Sequence, residues 1–281
     1  VSGPRVLVLG ASGRIGAMLQ RHWHGRDMRP LWQYRGAPAP ADSVIGDPLQ
    51  DGAALAARCG RLDVVLALSG VVPGRGDLGL NSALALAALD LGAAAGARRV
   101  FLASSAAVYG PGAQALREED PLQPGNDYGR AKAAMERAAG AHAAALGLDV
   151  SVLRIGNVAG ADALLGPAGT TRRLDRFPDG QGPRRSYIGP RMLADVLAEL
   201  VRFAALGQDL PGCLNIAQPG AVAMEDLCRA AGFAVTWQPA PEGALASVLL
   251  DVSRLRALVA LPEARAEALV AEWRADQEAA G

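Results

Sequence analysis

Tyr128 and Lys132 stand four residues apart in Tyr128-Gly129-Arg130-Ala131-Lys132, and Lys132 is the single lysine of a chain whose other 27 basic residues are arginine. Arginine serves well as a surface cation or as the partner of a carboxylate. A position that keeps lysine points to a task the planar guanidinium performs poorly: setting a compact ammonium beside a phenol and lowering its pKa. Residues i and i+4 share one face of a helix, so the two groups can be aimed at the same place. The pair reads as a tyrosine acid/base and its lysine. Upstream, Ser104-Ser105-Ala106-Ala107-Val108-Tyr109-Gly110 follows an apolar run. A Ser-Ser pair at such a point is more often a cap than a reactant, yet a hydroxyl at the carboxyl end of a buried strand faces the crevice where ligands bind. With Tyr128 and Lys132 downstream, catalysis is the better reading.

Gly10-Ala11-Ser12-Gly13-Arg14-Ile15-Gly16 lies between a strand-like run and a helix-like one, the context a dinucleotide fingerprint requires. Glycine there permits the tight turn, lets the backbone approach a pyrophosphate and allows close helix packing, while the helix N-terminus presents aligned N–H groups. Cofactor choice is expected at the end of the second strand, where an acid reads the ribose hydroxyls of NAD and an arginine accompanies the phosphate of NADP. Gln33-Tyr34-Arg35 carries no acid. Arg14 adds a second positive contact, so NADP is favoured over NAD. Asp47 stands where a side chain can reach the adenine amino group.

The elements that must hold these residues are legible in outline. Arg5–Leu9, Leu31–Tyr34, Asp63–Leu68, Val100–Ser104 and Val150–Arg154 are near-continuous apolar strands. They alternate with helices over Ile15–His24, Asn81–Ala95 and Asp127–Leu146. That alternation means a parallel sheet covered on both faces, and right-handed crossovers make it doubly wound, an α/β Rossmann fold. From Ala161 to Gly189 the chain is rich in Gly, Pro and Arg and reads as a loop-heavy excursion able to cover a site. Helices over Arg191–Ala205, Met224–Ala231 and Pro262–Glu278 follow, with strands at Cys213–Ala217, Phe233–Trp237 and Val248–Asp251. The expected division is an NAD(P)-binding domain over residues 1–160 and a smaller α+β substrate-binding region over 161–281, interleaved with the sheet.

Composition limits the function. With 51% hydrophobic residues, 20% charged and a formal net charge of zero, nothing marks the chain as a nucleic-acid or anionic-membrane binder. No apolar run reaches membrane-spanning length and no signal sequence is evident, so a cytoplasmic protein is expected. Cys59, Cys213 and Cys228 are odd in number and widely spaced, reading as small buried residues. His22, His24 and His142 lack the clustering of a metal site, and none is expected.

Taken together the motifs resemble an extended short-chain dehydrogenase/reductase of the NAD(P)-dependent epimerase/dehydratase kind. The matching residues are Gly10, Gly13 and Gly16, Asp47, the Leu66-Ala67-Leu68-Ser69-Gly70 strand end, Asn81, the Ser105–Gly110 segment, Tyr128 and Lys132. Leu153–Gly160, Arg185–Ile188, Gly212–Ile216 and Leu250–Leu255 resemble later segments, so the likeness covers nearly the whole chain. It implies that Tyr128 is the acid/base, that Lys132 steadies its phenolate and holds the nicotinamide ribose, and that Ser105, with Ser104 as fallback, hydrogen-bonds the substrate oxygen. Leu68, Ser69, Gly70 and Asn81 join Ser12, Ile15 and the glycines as candidate cofactor contacts, and Asn157 and Arg185 become candidates for substrate. The resemblance also implies a homodimer, through Leu80–Ala95 and Asp127–Leu146.

Departures bear on the substrate. The stretch from Asn157 to Arg185 is short for a sugar-nucleotide enzyme, and Gly189-Pro190-Arg191-Met192 stands where the family's acids usually follow the arginine-aromatic strand. Arg172, Arg173, Arg176 and Arg184 add charge to the same loop and suggest an anionic small-molecule substrate, although solvated loop arginines are as good a reading. The expected activity is NAD(P)-dependent oxidation, reduction or epimerisation at a secondary alcohol or ketone. The alternatives are a sugar-nucleotide epimerase with tightly held NAD and an NADP sensor without turnover.

Overall fold

The strands at the centre are those whose side chains are buried on both faces. The computed structural model describes residues 3–111, 114–166 and 169–280. In β1 (Arg5–Leu9) Val6, Leu7, Val8 and Leu9 are fully buried. After α1 (Arg14–Trp23), β2 (Arg29–Tyr34), β3 (Val44–Ile45) and α2 (Pro48–Cys59) comes β4 (Val64–Ala67), apolar and buried throughout. Next are α3 (Leu80–Ala94), β5 (Arg99–Ser105), α4 (Asp127–Leu146) and β6 (Asp149–Ile155).

The later part contains β7 (Asn157–Val158), β8 (Thr171–Arg176), β9 (Arg184–Arg185), β10 (Tyr187–Ile188), α5 (Pro190–Ala205) and β11 (Cys213–Ile216). It ends with β12 (Val222–Ala223), α6 (Met224–Ala231), β13 (Ala234–Pro239), β14 (Ser247–Val248), α7 (Ser253–Arg256) and α8 (Ala266–Glu278). Seven strands form one sheet in the order β11-β6-β5-β4-β1-β2-β3, every neighbouring pair parallel. This is the doubly wound sheet. Chain order reverses between β1 and β4, and the crevice outside their carboxyl ends is the ligand position of such a fold.

Alternation along the strands divides the core. Val6, Val8, Val64, Leu66 and Phe101 face α1 and α5, whose Met18, Leu19, Leu193 and Leu197 complete one layer. Leu7, Leu9, Val65, Val100 and Leu102 face α2, α3 and α4 through Leu55, Leu89, Met135 and Ala139. A third cluster, with Leu174, Tyr187, Leu227 and Leu269, lies wholly in the later part of the chain. That part also returns β11 to the sheet edge beside β6. No helix among the described residues is long and apolar enough to cross a membrane.

The 161–189 stretch is loop-heavy, as expected, but it also carries a strand: β8 pairs in parallel with β13 over six residues. Its period of two was hidden because a buried position is an arginine, Arg172, between exposed Thr171 and Arg173. Pro167 and Ala168 of that stretch lie outside the described residues. The last helix starts at Ala266 rather than Pro262, since the Ala264 amide donates to Pro219 O at 2.8 Å and holds the preceding residues outside the helix. The alanine-rich stretch from Pro48 to Cys59 is a helix; Asp47 caps it and Pro48 opens it, an N-terminus favoured by proline's fixed φ.

Candidate active site

The glycine turn is built as the sequence predicts. Gly10 has φ +81°, and a Cβ on it would lie 2.7 Å from Ser69 N. A Cβ on Gly16 would lie 2.6 Å from the carbonyls of both Gly10 and Ala11, so α1 packs on the turn at a distance only glycine allows. The turn is tied to β2 by a residue sequence reasoning missed. Gln33, 2% exposed, accepts from the Gly10 amide through Oε1 at 3.0 Å and donates through Nε2 to Gly46 O at 2.7 Å. A lone amide side chain between Trp32 and Tyr34 was the available signal.

The turn opens onto a cleft of about 1170 Å³ lined by Gly10, Ser12, Gly13, Arg14, Ile15 and Gly16 and, farther along, by Arg35, Asp47, Leu68, Ser69 and Gly70. That exceeds the space a single small ligand fills. These residues fit a dinucleotide. No side chain caps α1 at Gly13, so the unpaired amides of its first turn are available to a phosphate. Ser69 Oγ is buried in the cleft wall with no hydrogen-bond partner among the described residues. Arg35 is exposed at the end of β2, and Asp47 uses Oδ1 to cap α2 at Leu49 N, 3.0 Å.

Ser105 and Tyr128 line the same cleft. Ser105 ends β5 and accepts from the Ala107 amide at 3.2 Å, which fixes its oxygen and leaves its proton to point elsewhere. Its hydroxyl lies near enough to the Tyr128 phenol to act on its ionisation. Burial pushes the Tyr128 phenol up from its ordinary value, and Ser105 opposes that rise, as donation to the charged form must. Ser104, the fallback, points away: its hydroxyl donates to Glu136 Oε1 at 2.5 Å.

Lys132 follows one turn along α4 and is 4% exposed. Its ammonium donates to Ala103 O at 2.9 Å, and a Cβ on Gly70 would come within 3.2 Å of it. Burial lowers its pKa to about 8, while Glu136 acts in the opposite sense.

Gly129 is a second residue the sequence reading passed over, and it sets how near Tyr128 comes to Ser105. A Cβ there would stand 2.0 Å from Ala107 O. The start of α4, capped by Asn126 on the Gly129 amide at 2.8 Å, therefore lies directly on the turn that follows Ser105.

Two sequence candidates do not line the cleft. Asn81 is 1% exposed and its amide clamps the loop after β4, accepting from Val71 N at 3.1 Å and donating to Val71 O and Leu78 O. Arg185 lies along neighbouring backbone and donates to the carbonyls of Arg184, Leu245 and Ala246. Asn157 does reach the cleft, together with Asp162, which no sequence signal singled out.

Residues 6–177 match the NAD dependent epimerase/dehydratase family. The chain belongs to this family. Its members are enzymes of the extended short-chain dehydrogenase/reductase type. Among curated relatives, the chain is 34% identical over 189 residues to a UDP-glucose 4-epimerase of Azospirillum brasilense, covering 60% of this chain and 52% of that one. It is 40% identical over 87 residues to a UDP-glucose 4-epimerase of Corynebacterium glutamicum, covering 31% and 26%. The matched stretches thus span about half of one relative and about a quarter of the other. The fold is shared with the solved structure of MoeE5 in complex with UDP-glucuronic acid and NAD, at TM-score 0.77 and 22% identity over 99% of this chain and 100% of that one.

Proposed function

We infer that this member of the NAD-dependent epimerase/dehydratase family catalyses hydride transfer at a secondary alcohol or ketone, with residues 1–160 holding the dinucleotide and 161–281 supplying the substrate side. The observation that carries this is that Ser105, Tyr128 and Lys132 line the same cleft as the glycine turn. When bound, the nicotinamide supplies the acceptor or donor of the hydride. The α1 amides, Arg14, Lys132 and the glycine turn bind and orient the dinucleotide.

Tyr128 holds the proton exchanged with the substrate oxygen. In the reducing direction its phenol, kept protonated by burial, gives that proton up; in the oxidising direction the phenolate receives it. Ser105 donates to the same oxygen and offsets the charge developing there. Lys132 presents its positive charge to the ribose side of the site.

Arg35, free of any ion pair among the described residues and exposed beside the cleft, supports NADP; the bound NAD of MoeE5 and the family's name support NAD. The relatives also support a second reading, a sugar-nucleotide epimerase that keeps its NAD through the cycle. A homodimer through the outer faces of α3 and α4 is part of the proposal.

Mass spectrometry of nucleotide released from the denatured protein, with titrations of NADH and NADPH, separates these readings. Retained NAD favours the epimerase. An empty protein that binds NADPH more tightly, and loses that preference in Arg35→Ala, favours an exchanging reductase. Tyr128→Phe is expected to keep dinucleotide affinity and lose turnover by roughly a hundredfold or more. Full turnover by that variant would refute the assignment of Tyr128, and absence of turnover in the wild type would leave a sensor.

A further inference from the structure

One side chain ties the glycine turn to the segment that follows β7. Arg14 opens α1 and is exposed. Its guanidinium donates to Ala161 O at 2.8 Å, across 147 positions of sequence. Both residues line the cleft, yet no strand pairing brings them together. Ala161 follows β7, which continues from β6 after Gly156, and β6 is separated from β1 in the sheet by β5 and β4. Three inter-strand steps of about 4.8 Å put roughly 14 Å between the ends of β6 and β1. The contact therefore closes a span that includes the carboxyl ends of β4 and β5, after which Ser69 and Ser105 line the same cleft.

The far wall is built to hold that carbonyl still. The Ala159 amide donates to Ile188 O at 3.0 Å, and the Ala161 and Asp162 amides both donate to Val158 O, at 3.0 and 3.1 Å. Fully buried Tyr187 donates its hydroxyl to Asp162 Oδ2 at 2.8 Å, and the Leu165 amide donates to Oδ1 at 3.0 Å. Leu164 and Leu165 are buried in the third core cluster. Ala161 O is thus a fixed acceptor, and it aims an exposed side chain that would otherwise sample many rotamers. A guanidinium carries five N–H donors in a rigid fork, so one bond to a carbonyl leaves other donors for a phosphate. A lysine ammonium would bring the charge without that second, fixed grip.

We infer that Arg14 is a positioning residue that clasps the bound dinucleotide: its guanidinium stays on Ala161 O while its remaining donors serve the phosphates, and the dinucleotide leaves only when this contact opens. This rests on the reading of the cleft as a dinucleotide site. It deepens that reading by making the residence time of the dinucleotide, and not its affinity alone, a property of one contact between the two parts of the chain.

The test uses the whole protein loaded with NADH or NADPH, followed by stopped-flow fluorescence as excess NAD or NADP displaces it. Lysine and methionine both suit an exposed first helical turn, so the variants Arg14→Lys and Arg14→Met keep the fold. Arg14→Lys, which keeps the charge, should associate within about twofold of the wild-type rate and dissociate about tenfold faster or more. Arg14→Met should dissociate as fast and also associate more slowly, having lost the steering charge. Hydrogen exchange reads the far wall: NADH should slow exchange of the 158–166 peptide in wild type by about tenfold and leave it unchanged in Arg14→Lys. Wild-type dissociation kinetics in Arg14→Lys overturn the clasp, since charge alone would then suffice. So does a wild-type 158–166 peptide indifferent to the dinucleotide, whatever the variants do. Failure of wild type to bind either NADH or NADPH overturns the underlying reading, and the clasp with it, and is seen before any variant is compared.

Discussion

Lys132 is the residue at which burial and function pull hardest against each other. Its ammonium sits almost out of solvent, and its pKa falls from 10.5 to about 8 because desolvation outweighs the attraction of Glu136. The fold therefore binds fewer protons at this site than the unfolded chain between pH 8 and 10.5. Linkage then requires that Lys132's contribution to stability rise with pH across that window and be fully lost below it. Ligand binding runs the other way. An anionic dinucleotide gains from the charged form, so affinity for NADH or NADPH is expected to fall as pH rises through about 8. Fluorescence titrations from pH 6.5 to 9.5 on wild type and Lys132→Met would read this directly. The wild-type curve should bend and the Met curve, weaker throughout, should run flat. Persistence of the bend in Lys132→Met would assign it to another group.

At the scale of elements, the contact between α4 and the turn after β5 decides whether Ser105 and Tyr128 meet. Gly129 is the point of closest approach: an added methyl group would stand 2.0 Å from Ala107 O. Gly129→Ala cannot be absorbed by a side-chain rotation, because the obstacle is backbone; the helix start or the turn must move. Overpacking of this kind costs about 1–3 kcal/mol, and a displacement near 1 Å between reacting groups costs about a hundredfold in rate. The expected signature is a drop in kcat much larger than the loss in melting temperature would explain, with dinucleotide affinity kept, since the glycine turn is untouched. The sequence made most of this element legible. Asp127–Leu146 was read with its observed bounds, because alanine-rich composition and the Gly147 stop agree with the tertiary outcome. The Tyr-Lys spacing points to two of the three groups proposed for the site, and the Ser105–Gly110 segment to the third. What could not be read was which polar side chains turn inward on the backbone. Asn81, Arg185 and Arg172 look like ligand-binding residues as letters, yet each is consumed by carbonyls or amides brought near by the fold. Gln33 and Asp162, unremarkable as letters, reach the turn and the cleft for the same reason. Hydrogen-bond demand of buried backbone is a tertiary quantity, and spacing along the chain carries little of it.

On the scale of the whole molecule, the two parts of the chain are joined behind the site by a buried polar network. Glu136 of α4 accepts from Arg154 of β6 at 2.8 Å, each side chain 8% exposed, and from Ser104 of β5. Arg154 donates to Tyr109 Oη at 2.8 Å, Tyr109 donates to Asn215 of β11 at 2.9 Å, and the Asn215 amide donates to Glu118 at 2.8 Å. Asn215 also donates to the carbonyls of Leu116 and Asp251. One connected set thus spans the helix that carries Tyr128, the strand that carries Ser105 and the strand the later region returns to the sheet. A pair this buried gives little net stability over apolar replacements of similar volume, yet losing one partner leaves a stranded charge and costs about 3–5 kcal/mol. Glu136→Leu and Arg154→Met, each alone, should therefore lower the denaturant midpoint severely, and the double variant should recover much of that loss. Dinucleotide binding should follow folding, whereas turnover should stay low in the double variant, because Ser104 and Lys132 both lose the carboxylate between them. Additive losses in the double variant would mean that the network works as separate contacts and that the two regions are joined chiefly by the apolar core. Recovery of stability without recovery of turnover would mean that the network's remaining value lies in keeping the Ser105 strand and the Tyr128 helix in register over the cleft.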